Sequence, residues 1–354
     1  MNQRAFDNGI VHGIVCVNDS AIDGFRAMNI KTFAARIGVS TATVSRAFSN
    51  KGRISTATRA RVREQARRLG YFPNRQARSM VRGKTDALAL LYDTPQEADS
   101  DYYLAEVSYG IAHAAAQSNM LLQMHAVACD TAQYPECIAD LVHTGSVDGF
   151  LVYLRTAWAA ALIQKAEEQN IPYLILDNTL ETSKNVLSIG DAIENACQQA
   201  GAYFRRIGKT YPAFVHGIHD DRKLNGFATG LGNLRSKMVR DPGGVSFEHA
   251  RRAVERILEA SPETDAVMCG NDVLAMGAIR GALDRGLRVP DDIAVIGCDD
   301  LALARYSNPA LTTIRLPKAS LGELAVKRLL NMIGDESLTS SPLPQCELIL
   351  RESA

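Results

Sequence analysis

A chain of 354 residues that is 46% apolar is too long for one ordinary core, and we expect two or three compact units. The seven cysteines are scattered, and none has the close Cys or His neighbours of a zinc site. Apolar runs stay well below the roughly 18 residues of a membrane helix, and the N-terminus lacks the features of a signal peptide. The composition therefore predicts a cytoplasmic protein with reduced thiols, no membrane contact, no metal and no cofactor.

The formal net charge of zero conceals two oppositely charged parts. Residues 28–84 contain fourteen lysines and arginines but one acid, Glu64, whereas residues 85–354 contain 23 basic and 35 acidic side chains. A net charge of +13 in fewer than sixty residues is typical of a segment that binds a polyanion such as nucleic acid. The alternative is a merely solvated charged face.

Residues 1–27 show no sustained apolar pattern. We expect residues 1–28 to be a weakly ordered extension, or a misassigned start with translation beginning at Met28. The alternative is an extra element that packs on the following domain.

Three short helices are predicted between residues 29 and 73. Ser40 and Ser55 are suitable N-caps for the second and third helices, and Gly70 ends the third. Apolar residues recur at helical spacing in each helix: Phe33, Ala34 and Ile37; Val44 with Ala47 or Phe48; Val62, Ala66 and Leu69. Because Gly-Val-Ser forms a short connection between the first two helices, the pattern predicts a helix-turn-helix.

Beyond residue 85 the pattern alternates between short buried strands and amphipathic helices. The predicted strands are 88–92, 149–153, 173–176, 213–216, 266–269 and 293–297. The predicted helices are 106–118, 158–169, 194–207, 247–260 and 273–285. Such alternation predicts parallel sheets with helices on both faces, and its length fits two doubly wound lobes with a cleft between them. The predicted fold class is an all-α head, residues 29–73, followed by an α/β body, residues 85–354.

The second helix of a helix-turn-helix enters the major groove, so its first residues face base edges. Thr41 and Ala42 occupy these positions. Arg46, one turn later, can bind guanine through two hydrogen bonds. These three residues are the candidates for sequence-specific contacts.

Two further sets of residues are expected to contact the DNA backbone. Hydroxyl groups near the helix N-termini can bind phosphate, and the candidates are Thr43, Ser45, Ser55 and Thr56. Arginines of the third helix can add nonspecific attraction, and the candidates are Arg59, Arg61 and Arg63. An ordinary surface role is the alternative for each arginine.

Three segments of the head resemble the lactose-repressor/galactose-repressor family of bacterial regulators. They are residues 38–46 (GVSTATVSR), 53–55 (RIS) and 69–74 (LGYFPN). The resemblance implies that residues 74–84 form a hinge helix on operator DNA, where two copies pair and a leucine from each enters the minor groove. By motif position the wedge is Met80, Ala77 faces the partner hinge, and Asn74 also belongs to the DNA-binding set. Methionine departs from the usual leucine, and a linker without a DNA role is the alternative.

The resemblance continues over roughly residues 29–353. Its strongest later segments are 269–278 (CGNDVLAMGA), 286–293 (GLRVPDDI), 296–300 (IGCDD), 309–314 (PALTTI) and 348–353 (LILRES). It implies a body like the periplasmic sugar-binding proteins, with two lobes, three crossovers and one effector in the cleft. The effector-binding positions that it implies are Tyr103, Asp177, Asp191, Asn271 and Asp299.

The residues themselves also place polar groups at this cleft. Asp177, Asn271 and Asp299 each follow a predicted strand, and the carboxyl ends of parallel strands line the cleft in such sheets. Carboxylates and amides there suit a polyhydroxylated ligand, with helix capping or a structural hydrogen bond as the alternative. For Asp272 we favour a cap of the helix that begins at Val273.

One position departs from the family pattern. The family usually has an arginine three residues before a Gly-aromatic pair, here Gly226-Phe227, and this chain has Lys223 there with Arg222 beside it. Either side chain could reach the ligand. Because lysine lacks the planar guanidinium group, the effector can be either a neutral sugar or an anionic sugar derivative.

These features predict a DNA-binding transcriptional regulator rather than an enzyme. We expect a repressor that binds a palindromic operator in double-stranded DNA as a homodimer, under control of a small-molecule effector such as a sugar or sugar derivative. The chain lacks GxSxG, HExxH, P-loop and dinucleotide-binding motifs. Two rival classes are a solute-binding protein of transport, which the basic head argues against, and an architectural DNA-binding protein, which the acidic cleft-bearing body argues against.

Overall fold

The computed structural model describes residues 28–49, 54–73, 83–94, 102–128, 141, 144–154, 159–176, 185–217, 221–241, 244, 246–334 and 342–354. They fall into two compact units, one ending at Thr85 and the other beginning at Asp86. Residues 1–27 of the predicted N-terminal extension and residues 74–82 of the predicted hinge lie outside the described residues. The same holds for four predicted site residues: Asn74, Ala77, Met80 and Asp177.

The described part of the first unit, the head, contains three helices. They are α1 (Ile30–Arg36), α2 (Thr41–Phe48) and α3 (Thr56–Leu69). The side chains of Asn29, Ser40 and Ser55 each accept the backbone N–H of the residue three positions later, so all three helices are capped. Gly70 ends α3 with a φ of 64°, a left-handed conformation that costs glycine little. The predicted helix-turn-helix is therefore confirmed.

The small core of the head is formed by apolar residues from all three helices and the segment after them. Its buried members are Phe33, Ala34, Val44, Ala47, Val62, Ala66 and Tyr71. The sequence pattern left open whether Ala47 or Phe48 is the second buried residue of α2. In the structure Ala47 is buried and Phe48 is half-buried. The ring of Tyr71 stacks on Phe33 with centroids 4.1 Å apart, a core contact that the helical pattern did not predict.

The described part of the second unit, the body, contains two sheets. The first has the order β2-β1-β3-β4-β5 and is parallel throughout. Its strands are β1 (Ala87–Thr94), β2 (Leu121–Ala128), β3 (Gly149–Tyr153), β4 (Tyr173–Leu176) and β5 (Val186–Leu187). Helices α4 (Tyr102–Gln117) and α5 (Ala159–Glu168) connect these strands. We call this sheet with its helices the N-lobe.

The second sheet has the order β11-β10-β9-β8-β6-β7 and is parallel except for β11, which runs antiparallel to β10. Its strands are β6 (Pro212–Val215), β7 (Val239–Asp241), β8 (Ala266–Cys269), β9 (Ala294–Asp299), β10 (Thr312–Arg315) and β11 (Glu347–Ile349). The helices are α6 (Gly190–Arg206), α7 (Asp221–Leu231), α8 (Phe247–Ala260) and α9 (Asp272–Asp284), with short 3-10 turns at Gly232–Lys237 and Ala302–Arg305. We call this sheet with its helices the C-lobe.

The chain passes between the lobes three times. It runs from β5 to α6, from β10 to α10 (Lys318–Gly334), and from α10 back to β11. Helix α10 packs against α4, β3 and β4 and so belongs to the N-lobe. One apolar cluster includes residues from one face of each sheet, and the opposite faces have clusters of their own. Helices on both faces of two parallel sheets confirm the predicted doubly wound body.

Neighbouring helices touch backbone to backbone at glycines. A Cβ atom added at Gly110 of α4 would lie 2.0 Å from the carbonyl oxygen of Ala319 on α10. Added at Gly226 and Gly230 of α7, it would lie 2.1 and 2.0 Å from carbonyl oxygens of α6. These distances leave no room for a side chain, so α4 is held tightly to α10 and α7 to α6.

Candidate DNA-binding surface and effector site

The predicted base-contacting residues lie on the exposed face of α2. Thr41, Ala42 and Arg46 are exposed, as is Ser45, whereas Val44 of the same helix is buried in the head core. The hydrophobic face therefore fixes the helix on the head and leaves the predicted contact face open. Contact of Thr41, Ala42 and Arg46 with bases stays a prediction.

Two of the residues predicted to bind phosphate through their hydroxyl groups, Thr43 and Ser55, take part in hydrogen bonds at helix N-termini. Ser40 Oγ accepts the Thr43 backbone N–H at 3.1 Å and lies 2.9 Å from Thr43 Oγ1. Ser55 Oγ accepts the Thr58 backbone N–H at 3.1 Å and lies 2.8 Å from Thr58 Oγ1. A phosphate contact by Thr43 or Ser55 would add to these capping bonds.

Two of the arginines predicted to attract DNA make bonds within the head. Arg59 donates to the carbonyl of Ser49 at 2.6 Å, and Arg63 donates through Nε to the carbonyl of Ala47 at 3.0 Å. The last carbonyls of a helix lack intrahelical partners, so these arginines hold the C-terminal end of α2. Sequence reasoning missed this role, while Arg61 is exposed as expected.

At the carboxyl ends of the C-lobe strands, Asn271 rather than Asp272 caps helix α9. Asn271 follows β8 and is itself the cap of α9, because its Oδ1 accepts the Leu274 backbone N–H at 2.8 Å. The predicted capping role of Asp272 is wrong. Asp272 is fully buried and accepts hydrogen bonds from Thr313 Oγ1 at 2.5 Å and Leu301 N at 2.7 Å.

The buried position of Asp272 changes its acid–base behaviour. Burial, together with the nearby charge of Asp299, raises the pKa of Asp272 to about 7, and the hydrogen bond from Thr313 opposes the shift. Gly297 on β9 leaves the space for this carboxyl group, since a Cβ atom there would lie 2.3 Å from Asp272 Oδ1. The Asp272 carboxyl group therefore joins the start of α9 to β10 and to the segment after β9.

Asp299 ends β9 and is held through its backbone. Its φ is 122°, a value that residues other than glycine rarely adopt. Its carbonyl accepts a hydrogen bond from Lys318 Nζ at 2.9 Å. Lys318 is 1% exposed, and nothing in the local sequence pattern distinguished it from a surface lysine.

The two adjacent cations of α7, Lys223 and Arg222, have different partners in the structure. Lys223 Nζ donates to the carbonyl of Gly270, just after β8, at 2.6 Å. Burial raises the pKa of the Cys298 thiol on β9 well above its usual range, and the charge of Lys223 opposes this shift. Arg222 instead pairs with the largely exposed Asp191 at the start of α6.

Tyr103 is the predicted effector residue that the structure describes in the N-lobe. It lies in the first turn of α4, is half-buried, and stacks on Tyr153 at the end of β3 with centroids 5.9 Å apart. Glu106, one turn further along α4, lies 2.9 Å from Lys318 Nζ. Through this lysine the N-lobe helix is joined to Asp299 of the C-lobe.

Two regions of the chain match described protein families. Residues 29–74 match the bacterial regulatory proteins of the lacI family, and residues 198–354 match the periplasmic binding protein-like domain. The transcriptional repressor CytR of Escherichia coli (strain K12) is 31% identical over 337 residues, which cover 92% of this chain and 96% of CytR. The chain belongs to the lacI family of bacterial regulatory proteins.

Other members of the lacI family are similar over nearly the same length. The probable repressor ExuR of Bacillus subtilis (strain 168) is 28% identical over 92% of this chain and 98% of its own. The repressor PurR of Escherichia coli O1:K1 / APEC is 31% identical over 86% of this chain and 90% of its own. These relatives are transcriptional repressors, in agreement with the expectation of a DNA-binding regulator rather than an enzyme.

Solved structures of the lacI family share the fold. The Lac repressor dimer bound to operator and the anti-inducer ONPF has a TM-score of 0.79 at 23% identity, covering 93% of this chain and 99% of that one. The regulator CelR in complex with cellobiose has a TM-score of 0.64 at 24% identity, covering 92% and 100%. Within the described residues, no helix combines the length and apolarity needed to span a bilayer.

Proposed function

We propose that this lacI-family protein is a cytoplasmic repressor that binds a palindromic operator in double-stranded DNA as a homodimer. The exposed face of α2, which presents Thr41, Ala42, Ser45 and Arg46 on a capped helix, is the main support. The net charge of +13 over residues 28–84 supplies the general attraction to phosphate. On this proposal the hinge segment adds a minor-groove contact through Met80.

An apolar surface on the C-lobe supports the homodimer. Met276, Ile279 and Leu283 of α9 line a cavity of about 220 Å³, together with the polar residues Arg280, Ser307 and Asn308. Tyr306, which precedes Ser307 in the chain, is 82% exposed, and Leu283 is 44% exposed. Exposed apolar groups in one patch are typical of a protein interface, and we assign this patch to a second copy of the chain. Two heads then match the two halves of a palindrome.

The effector site is proposed at the strand ends between the two lobes. Asn271 follows β8, Asp299 ends β9 and Lys223 donates to the neighbouring Gly270 carbonyl, so we assign these three to the C-lobe side. We assign Tyr103 and Asp177, which follows β4 in the sequence, to the N-lobe side. Arg222 and Asp191 form an ion pair at the start of α6. A stacked aromatic ring with carboxylate, amide and ammonium groups suits a carbohydrate or a carbohydrate derivative. Binding there would change the orientation of the lobes and so the folding of the hinge.

The DNA-binding proposal is tested by selecting fragments from a random duplex library with the full-length protein. We expect a palindromic fragment to bind more tightly than a scrambled one, with strong salt dependence. Arg46→Ala should cost about 1–3 kcal/mol on the selected fragment and relax its sequence preference. Arg61→Ala, the control from an exposed position, should weaken both fragments alike. Equal binding of palindromic and scrambled fragments by the unmodified protein would refute the proposal.

The effector proposal has a separate test. Thermal-shift screening of monosaccharides, sugar acids and nucleosides should identify a compound that stabilises the body. Asp299→Ala should abolish that shift and the compound's effect on DNA binding, while the gel shift without the compound persists. A retained thermal shift would remove Asp299 from the site. A transport protein with this body would not bind the selected DNA at all.

A further inference from the structure

Lys318 is a buried cation where the chain passes from the C-lobe to the N-lobe. It is the first residue of α10, and its side chain is 1% exposed. A buried ammonium group is unfavourable unless charged or polar partners compensate it. Its partners therefore indicate why a lysine occupies this position.

The two partners of Lys318 belong to different lobes. Its Nζ donates to the carbonyl oxygen of Asp299, at the end of the C-lobe strand β9, at 2.9 Å. The same Nζ lies 2.9 Å from a carboxylate oxygen of Glu106 on the N-lobe helix α4. One ammonium group thus joins the proposed effector site to a helix of the other lobe.

The backbone at the Asp299 end of this connection is strained. The φ values of Asp299 and Asp300 are 122° and 50°, both in the region that favours glycine. Such conformations persist only where surrounding contacts hold them. The bond from Lys318 to the Asp299 carbonyl is one such contact, and the Leu301 amide, which donates to Asp272, is another. Loss of the Lys318 bond would therefore remove one of the contacts that hold Asp299 in this conformation.

The other end of the connection is rigid. Gly322, one turn after Lys318 on α10, lies so close to α4 that a Cβ atom there would be 2.2 Å from the Val107 carbonyl oxygen. The start of α10 and the middle of α4 must therefore move together. The helix that carries Lys318 and the helix that carries Glu106 are therefore in direct backbone contact.

We propose that Lys318 is a positioning residue that couples the backbone at Asp299 to α4. A ligand that moves Asp299 shifts α4 through this ammonium group, and a change at α4 alters the direction of the Asp299 side chain by the same route. The inference rests on the proposed effector role of Asp299 and adds to it the connection between the lobes.

The test is hydrogen–deuterium exchange on the full-length protein without DNA or ligand, so it is independent of whether operator binding is found. Glu106→Gln removes the carboxylate charge beside Lys318 at a position that is 48% exposed. We expect exchange of the amides of Asp300 and Leu301 in the other lobe to become about fivefold faster, the lower end of ordinary coupling between sites. Glu323→Gln is the matched control.

Glu323 is a suitable control because it also joins α10 to α4 without contacting Lys318. Its carboxylate lies 3.2 Å from His113 Nδ1 and is 38% exposed. Its replacement should leave the Asp300 and Leu301 amides within twofold of the unmodified protein, about the error of the comparison. In a Lys318→Met background, exchange should already be fast, and Glu106→Gln should add nothing.

Two results would overturn the proposal. In one, Glu106→Gln leaves exchange at Asp300 and Leu301 unchanged; in the other, Glu323→Gln accelerates it equally. Both variants replace exposed carboxylates and should fold, so the two comparisons test the proposal even if the Lys318→Met variant does not fold.

Discussion

Replacing Gly110 with alanine tests the contact between α4 and α10. The new Cβ atom would lie 2.0, 2.7 and 2.9 Å from three backbone atoms of Ala319, so a flexible side chain cannot simply move aside. The helices must separate by about 1 Å or more to restore ordinary contact, and such overpacking costs about 1–3 kcal/mol. Alanine recovers up to about 1 kcal/mol because it favours helix more than glycine does. Because the clash is with backbone atoms, we expect a cost of about 2–3 kcal/mol and hence a net loss of about 1–2 kcal/mol.

Urea unfolding followed by far-UV circular dichroism measures this loss. With a slope of roughly 3 kcal/mol per molar urea for a body of this size, the midpoint should fall by roughly 0.5 M. Ala112→Ser, on the exposed face of the same helix, is the control and should change the stability by less than about 0.5 kcal/mol. A Gly110→Ala variant as stable as the unmodified protein, or more stable, would show that the α4–α10 contact can relax and would contradict the reasoning.

Two further predictions concern the buried Asp272 carboxyl group and the hydrogen-bonded side chain of Arg63. Because the pKa of Asp272 is raised to about 7 in the folded state, its stabilising contribution is complete below about pH 4 and is lost as the pH rises through 7. The free energy of unfolding should therefore fall from pH 5 to pH 7 and then level off, and Asp272→Asn should remove this component in urea titrations at matched pH. In the head, Arg63→Gln should lower stability by about 1 kcal/mol through loss of the bond to the α2 carboxyl end, whereas the exposed Arg61→Gln should have less effect. Equal melting temperatures of the two arginine variants would show that the Arg63 bond contributes nothing measurable.

Elements with a strong local signal were predicted best from the sequence. The strand β4 is apolar at all four positions because both faces of the sheet are covered, and its predicted bounds of 173–176 agree with the structure. The caps Ser40 and Ser55 were recognisable because serine before an apolar helical pattern has a specific local use. Strand β2 was missed: it lies at the edge of its sheet, where Leu121 and Met124 are about half exposed, so neither a continuous apolar run nor a clean alternation marks it.

The candidate site was predictable only in part, because its contacts join residues distant in sequence. Asp299 and Asn271 could be placed at strand ends from the pattern of buried strands alone. The burial of Asp272 depends on Thr313, 41 positions away, and no local pattern contains that information. The same reason applies to Lys318, whose two bonds reach a strand and a helix far apart in the chain.

The contact of α7 with α6 through Gly226 and Gly230 has a consequence for how ligand preference can evolve. Lys223 and Arg222 lie at the start of α7, and Asp191 lies at the start of α6. With the two backbones in direct contact, neither helix can slide to accommodate a larger or smaller molecule. If the proposed effector site is correct, exchange of individual side chains at these three positions is therefore the route open to new ligand selectivity, while the scaffold that presents them stays constant.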